Sequence, residues 1–201
     1  LVAGKVDEGM NPLSALQLGC QAILCSPGFL YLNLGEGEID EVALASRMAY
    51  FLWSSPPDKK LLMLARAGEL KAELPAQVSR MLADSRSNRL VAHFVRRWLD
   101  LDNIGTMPPS EDFLVYYRDN LETAMRKETE MFFRHLLDNN LPLREFLEAD
   151  YSFLNRELAL HYGIKGVQGN ELQRVSLKGS TRGGLLGQGA LLTASANGVD
   201  T

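Results

Sequence analysis

The sequence predicts an all-α fold, an irregular multi-helix bundle in two packed helical halves, on three observations. Apolar residues recur at helical spacing in one segment after another. Capping residues and Gly or Pro stops separate those segments. Only Leu172 to Leu177 reads as a short strand. The chain has 201 residues, 46% of them hydrophobic and 23% charged. That composition supplies a sizeable core and excludes a disordered, collagen-like or mini-protein class.

Pro12 to Cys25 forms the first helix, with Leu13, Leu16, Cys20, Ile23 and Leu24 at helical spacing and Ser26-Pro27 ending it. Asp40 caps a second helix that runs to about Trp53 and turns Val42, Ala45, Met48 and Leu52 to one side. Ser54-Ser55-Pro56-Pro57-Asp58 closes it and opens a short third helix that stops at Gly68. Leu74 to Ala83 is a fourth. Ser87 caps a fifth, in which Leu90, Val91, Phe94, Val95, Trp98 and Leu99 form an apolar stripe.

Residues 103–110, containing Met107-Pro108-Pro109, read as a linker between halves 36–102 and 111–193. The longest helix follows, from about Arg118 to Asp138, then a short one at Leu143 to Leu147. Phe153 to Tyr162 is next, with Asp150, Tyr151 and Asn155 shaping its entry and Gly163 its C-terminal cap. A Gly-punctuated loop leads to the last helix, Leu185 to Ala194, where Gly187, Leu191 and Ala194 lie along one line.

Lys plus Arg number 21 and Asp plus Glu 25, a formal net charge of −4. That balance does not favour a polyanionic partner, and Arg86, Arg89, His93, Arg96 and Arg97 lack the interleaved aromatics of a nucleic-acid surface. They read as a solvated or interdomain face. Residues 9 to 35 carry no charge, but Asn11, Pro12, Gln17 and Gln21 interrupt them, so a buried core helix is expected rather than a membrane span. Cys20 and Cys25 are five apart on one helix and cannot pair there, so two buried free thiols are expected. No Cys-x-x-Cys-His is present, which excludes covalent c-type haem within these residues. Leu1 and the loop-like run Ser195 to Asp200 suggest ends cut from a longer polypeptide.

Several strings carry a family likeness together. They are Ala22-Ile23-Leu24-Cys25-Ser26-Pro27-Gly28-Phe29-Leu30-Tyr31, Leu44 to Asp58 around Arg47-Met48-Ala49-Tyr50-Phe51-Leu52-Trp53, Ala149-Asp150-Tyr151-Ser152-Phe153-Leu154-Asn155, His161-Tyr162-Gly163 and Arg182-Gly183-Gly184-Leu185-Leu186. In this order they resemble the planctomycete-type cytochrome c-associated domains of unknown function, over nearly the whole chain. The resemblance implies the tail of one helical domain at 1–35, a main domain at 36–193 and the start of another at 194–201. It further implies an extracytoplasmic setting, periplasmic or secreted, in a large bacterial protein that carries other domains and is associated with a c-type cytochrome. It carries over no catalytic residue, and the Ser-Pro-Val motif that would come next in the family is absent from this sequence.

Polar residues out of place supply the candidate site. Around the long helix, Glu128 and His135 fall inside the arc of Ala124, Met125, Met131, Phe132 and Leu136. They are seven apart, roughly 10 Å along the axis, so another residue or an ion would have to lie between them. Glu157 and His161 are four apart on one face of the next helix. A metal site of Glu128, His135, Glu157 and His161 is one reading, although the Glu-x3-His spacing is not that of the di-iron bundles. The other is a satisfied polar network with Arg182 or Arg97 as counter-ion. Gly183-Gly184 with Gly187 and Gly189 has no following Lys-Ser/Thr for phosphate, and Ser195 lacks the context of a hydrolase nucleophile. Two functions follow as expectations. One is a non-catalytic scaffold or interaction module without a cofactor; the other is part of a metal-dependent or redox enzyme whose Glu/His site a further domain completes.

Overall fold

Four of the described α-helices begin where the side chain of an acid or amide receives an orphan backbone N–H. The computed structural model describes residues 1–31, 38–106 and 120–196, and the chain divides into two compact units, Leu1–Leu82 and Ala83–Thr201. The Met107-Pro108-Pro109 run, the expected helix start at Arg118 and most of 194–201 lie outside the described residues.

In the first unit, α1 (Val2–Asp7) precedes α2 (Pro12–Leu24), whose Asn11 side chain accepts from Leu13 N–H at 2.9 Å. α1 lies close to α2 because position 19 is glycine: a Cβ there would run into the Val2 side chain. Only Ala15 and Gly19 of α2 are buried, while Leu13, Leu16 and Ile23 are more than half exposed. The expected buried core helix is therefore corrected: the small residues make the contact and the large ones face outward. Cys20 and Cys25 are likewise exposed rather than buried, and both are free. Pro27 starts α3 (Pro27–Leu30), a position where its missing N–H costs nothing.

α4 (Glu41–Trp53) is capped by Asp40, which accepts from Ala43 N–H at 2.7 Å, and α5 (Lys59–Ala67) by Asp58, which accepts from Leu61 N–H at 2.9 Å. Asp58 also pairs with Arg80 of α6 (Leu74–Ala83) at 2.7 Å, and the guanidinium lies 5.5 Å from the centre of the Trp53 ring. Trp53 is fully buried and its indole N–H donates to Met81 O at 2.9 Å, so its one polar atom is satisfied in the core. Gly68 takes φ +73° to end α5 at the expected residue.

In the second unit, α7 (Asn88–Trp98) and α8 (Leu121–Asp138) pack together. α9 (Glu145–Glu148), β1 (Tyr151–Leu154), α10 (Arg156–His161), β2 (Gln173–Ser176) and α11 (Gly189–Ser195) complete it, with short 3-10 turns at Ser85–Ser87, Leu101–Asn103 and Leu185–Gly187. The described residues are thus mainly helical, but not wholly. β1 and β2 pair antiparallel with Tyr151 opposite Ser176 and Leu154 opposite Gln173. The β2 strand was expected; β1 replaces the first turn of the expected 153–162 helix, which starts at Arg156 under an Asn155 cap accepting from Leu158 N–H at 2.9 Å. All four β1 residues are buried, so the strand shows no alternation by which sequence periodicity finds strands.

The core of this unit centres on α8, where Leu121, Met125 and Phe132 meet Val95 of α7, Leu154 of β1 and Leu158 of α10 across two adjoining clusters. On α7 only Val91 and Val95 are buried. Phe94 and Trp98, expected inside, are 43% and 50% exposed and stack outside the core with Phe133 and Phe146 at 5.4–5.8 Å. Ser87 does not cap α7; its hydroxyl instead accepts from Arg134 Nη1 at 2.6 Å.

The turn before α11 fixes the approach to the site. Gly184 sits at φ +54°, and a Cβ there would stand 2.5 Å from Phe146 O and 2.7 Å from Leu147 O. Gly184→Ala is expected to lower unfolding free energy by about 2–4 kcal/mol, combining the φ penalty with overpacking against rigid backbone. Urea denaturation checks this; a loss below about 1 kcal/mol would mean the turn relaxes freely.

Candidate functional site

Helical spacing turns Glu128 to the same side as Ala124, Met125 and Phe132, so the carboxylate enters the core with them. It is fully buried. Its Oε1 accepts from Ser152 Oγ of β1 at 2.5 Å, and its Oε2 accepts from Tyr162 Oη, just beyond α10, at 2.6 Å. The Tyr162 oxygen accepts in turn from the backbone N–H of Gly189, the first residue of α11, at 2.6 Å. Arg182 stacks over the Tyr162 ring at 4.0 Å and donates to Gly187 O at 2.7 Å. One carboxylate therefore links α8, β1, the end of α10 and the start of α11.

Gly189 is required by this packing. A Cβ there would stand 2.9 Å from both Tyr162 Oη and Met125 Cε. Sequence spacing marks Gly187, Leu191 and Ala194 as the small-residue line of this helix, yet the closest approach is made one step away, at Gly189 and the fully buried Ala190.

Burial raises the Glu128 carboxyl to about 7, against the lowering effect of Ser152, Tyr162 and Arg182. The Tyr162 hydroxyl is pushed well above the ordinary tyrosine range, first by burial and then by the neighbouring Glu128 charge. Burial, and next the Arg182 charge, lower the His161 imidazole. Two opposing trends thus meet: hydrogen bonds favour the carboxylate ion, desolvation disfavours it, and desolvation is the larger.

The other three candidate residues have separate surroundings. The His135 ring stands edge-on to Tyr151 and Phe153 at 5.5 and 5.4 Å, with its Nδ1 3.2 Å from the Asn139 amide nitrogen. Glu157 pairs with Arg156 at 3.2 Å in the first turn of α10. His161 is exposed, its ring 5.8 Å from that of Tyr162. Among the described residues no group of three or more His, Cys, Asp or Glu side chains is placed to hold a metal ion. What the structure assembles around Glu128 is instead hydroxyls and a backbone N–H. Of the two arginines expected as counter-ion, Arg182 faces the network, whereas Arg97 pairs with Asp102 at 3.6 Å.

Ser152 and Tyr162 are the partners that the sequence did not reveal. They sit in the strings Asp150-Tyr151-Ser152-Phe153 and His161-Tyr162-Gly163, where Tyr162 reads as a helix-end residue and Ser152 carries no role of its own. The available signal was the pairing rule itself: a carboxylate inside an apolar arc needs donors, and hydroxyls supply them without adding charge.

A family model described as "PSD4: Protein of unknown function (DUF1592)" matches residues 39–164, more than half of the chain. No curated protein and no solved structure matches. The matched span takes in Glu128, Ser152 and Tyr162 and stops before Arg182 and Gly189.

Two outcomes follow from the network. Tyr162→Phe strands both a carboxylate oxygen and the Gly189 N–H, and is expected to cost about 2–4 kcal/mol; Ser152→Ala removes one donor and is expected to cost about 1–2 kcal/mol, both read by chemical denaturation. The second outcome is a pH dependence. Glu128 holds its proton more tightly folded, near 7, than in the unfolded chain, near 4.5. Its stabilising contribution is present below pH about 4.5 and is lost as pH rises through about 7, by about 3 kcal/mol in all. Relative to Glu128→Gln, which does not titrate, wild-type protein should weaken by about 2–2.5 kcal/mol between pH 5 and 8; parallel stability curves would refute the assignment.

Proposed function

From the premise that this chain belongs to the DUF1592 family of proteins of unknown function, we propose that it is a helical scaffold and interaction module. On this reading it is an irregular bundle of two packed halves. It sits in an exported, extracytoplasmic multidomain protein associated with a c-type cytochrome, and it positions neighbouring domains without an active site of its own.

The observation that supports this reading is the use to which Glu128 is put. Its two oxygens take one hydroxyl each, and the second hydroxyl takes the N–H of α11. This carboxylate is shut off from solvent and each of its oxygens already holds a donor from another element. It behaves as a fastener between elements. The exported and cytochrome-linked parts of the proposal come from the resemblance of the strings around Trp53, Ser152 and Arg182. No helix among the described residues is long and apolar enough to cross a membrane.

The test is purification of the full-length polypeptide from its native source without chelator or nickel affinity. The readouts are cell fraction, c-type haem absorbance and elemental metal content. The scaffold reading expects the protein in an extracytoplasmic fraction with c-type haem in the same chain or complex, and with metal content unchanged by Glu128→Gln. Stoichiometric zinc, iron or manganese that disappears in Glu128→Gln or His161→Ala, while thermal unfolding stays in place, would overturn it in favour of a metal-dependent enzyme.

A further inference from the structure

Beside the buried network, and separate from it, the second unit carries an open cleft of about 570 Å³. Its walls come from the first turn of α7, one flank of α8, the Asn155 cap of α10 and the loop leading into β2. Six of its polar side chains, Asn88, Asn120, Thr123, Lys127, Asn170 and Glu171, form no hydrogen bond or ion pair among the described residues. The other charged walls are engaged: Arg134 with Asp138 at 2.7 Å and with Ser87, and Glu130 with Arg96 at 3.5 Å. Met131 and Leu172 supply apolar surface to the cleft.

We propose that this cleft binds a neutral, polyhydroxylated ligand, a saccharide of one or two rings. Three observations lead there. Among the described residues, the unengaged charges of the cleft are one ammonium, Lys127, and one carboxylate, Glu171, which cancel, so these walls select no ionic ligand by net charge. The remaining free groups are three amides and a hydroxyl, which donate and accept at once, as sugar hydroxyls do. The apolar side chains between them match the C–H faces of a sugar ring, the usual division of a small-molecule site into apolar surface and a few placed polar groups.

The cleft is also held in shape before any ligand arrives. Asn155 Nδ2 donates to Asn170 O at 3.4 Å, Arg156 N–H donates to Gly169 O at 3.0 Å, and the β1–β2 ladder starts at Gln173, two residues after Glu171. Asn120 precedes α8 at φ +49° without capping it, although asparagine is among the best capping residues. Its side chain is left to the cleft.

This inference goes beyond the scaffold reading, and its test involves no partner domain. The 201-residue chain is titrated with neutral gluco-, manno-, galacto- and xylo-oligosaccharides, with oligogalacturonate and inorganic phosphate as charged probes. Binding is read by calorimetry and by backbone amide shifts. The expected result is saturable binding of at least one neutral saccharide, insensitive to salt, with shifts at Asn120–Thr123 and Asn170–Leu172. Thr123→Val and Asn170→Leu, both at exposed positions, should each weaken it about tenfold while leaving the unfolding curve in place. Failure of every neutral saccharide to bind overturns the proposal. So does preference for a charged probe, or neutral binding that both variants retain at full strength.

Discussion

The second unit depends on one unfavourable act, the removal of the Glu128 carboxylate from water. Desolvation disfavours its charge strongly enough to raise the carboxyl to about 7, and a buried carboxyl in either protonation state needs hydrogen-bond partners, so its surroundings must be built to supply them. They are built from hydroxyls. Ser152 and Tyr162 meet the two oxygens without introducing a second buried charge, and Arg182 adds its field from across the Tyr162 ring. The consequence reaches further than the carboxylate. Because Gly189 N–H donates to the same Tyr162 oxygen, which stands too close for a Cβ, position 189 must lack a side chain, and Ala190 behind it is fully buried.

Local signals in the sequence were sufficient for most helices. Asp40, Asp58 and Asn155 cap, Gly68 and Gly163 take positive φ after the helices they end, and α6 runs over the expected Leu74–Ala83. A cap is decided by two or three neighbouring residues, so it can be read from a short string. Which face of a helix is buried is decided by distant parts of the chain. In α2 the large residues of the apolar stripe face outward, and in α7 the stripe divides, with Val91 and Val95 buried and Phe94 and Trp98 outside. Leu13, Leu16 and Ile23 stand out from a helix that packs through Ala15 and Gly19, and Phe94 and Trp98 stack on the outside of theirs.

The candidate site divides along the same line. Glu128 stood out because a carboxylate inside an apolar arc violates a local pattern. Its partners violate none, since a serine in a strand and a tyrosine after a helix are ordinary on their own. Glu157 and His161 matched the idea of a shared site by spacing along one helix, but spacing says nothing about rotation toward α8. The hydroxyl of Tyr162, one residue further on, is what reaches the carboxylate. β1 escaped for a related reason: with Tyr151, Ser152, Phe153 and Leu154 all buried, there is no polar alternation to announce a strand.

The long helix α8 unites these features. One residue advances about 100° around an α-helix, so Lys127 on the cleft flank and Glu128 in the core are neighbours in sequence that look into different environments. The network that fastens Glu128 to β1 and to the end of α10 also fixes how α8 is rotated, and with it where Thr123, Lys127 and Met131 point. Tyr162 ends the helix that Asn155 begins, and Asn155 holds the loop carrying Asn170 and Glu171. A rotation of α8 that displaced the cleft wall would have to pull a buried carboxylate away from both of its donors. The burial of one carboxyl group therefore sets the geometry of a surface that it never touches.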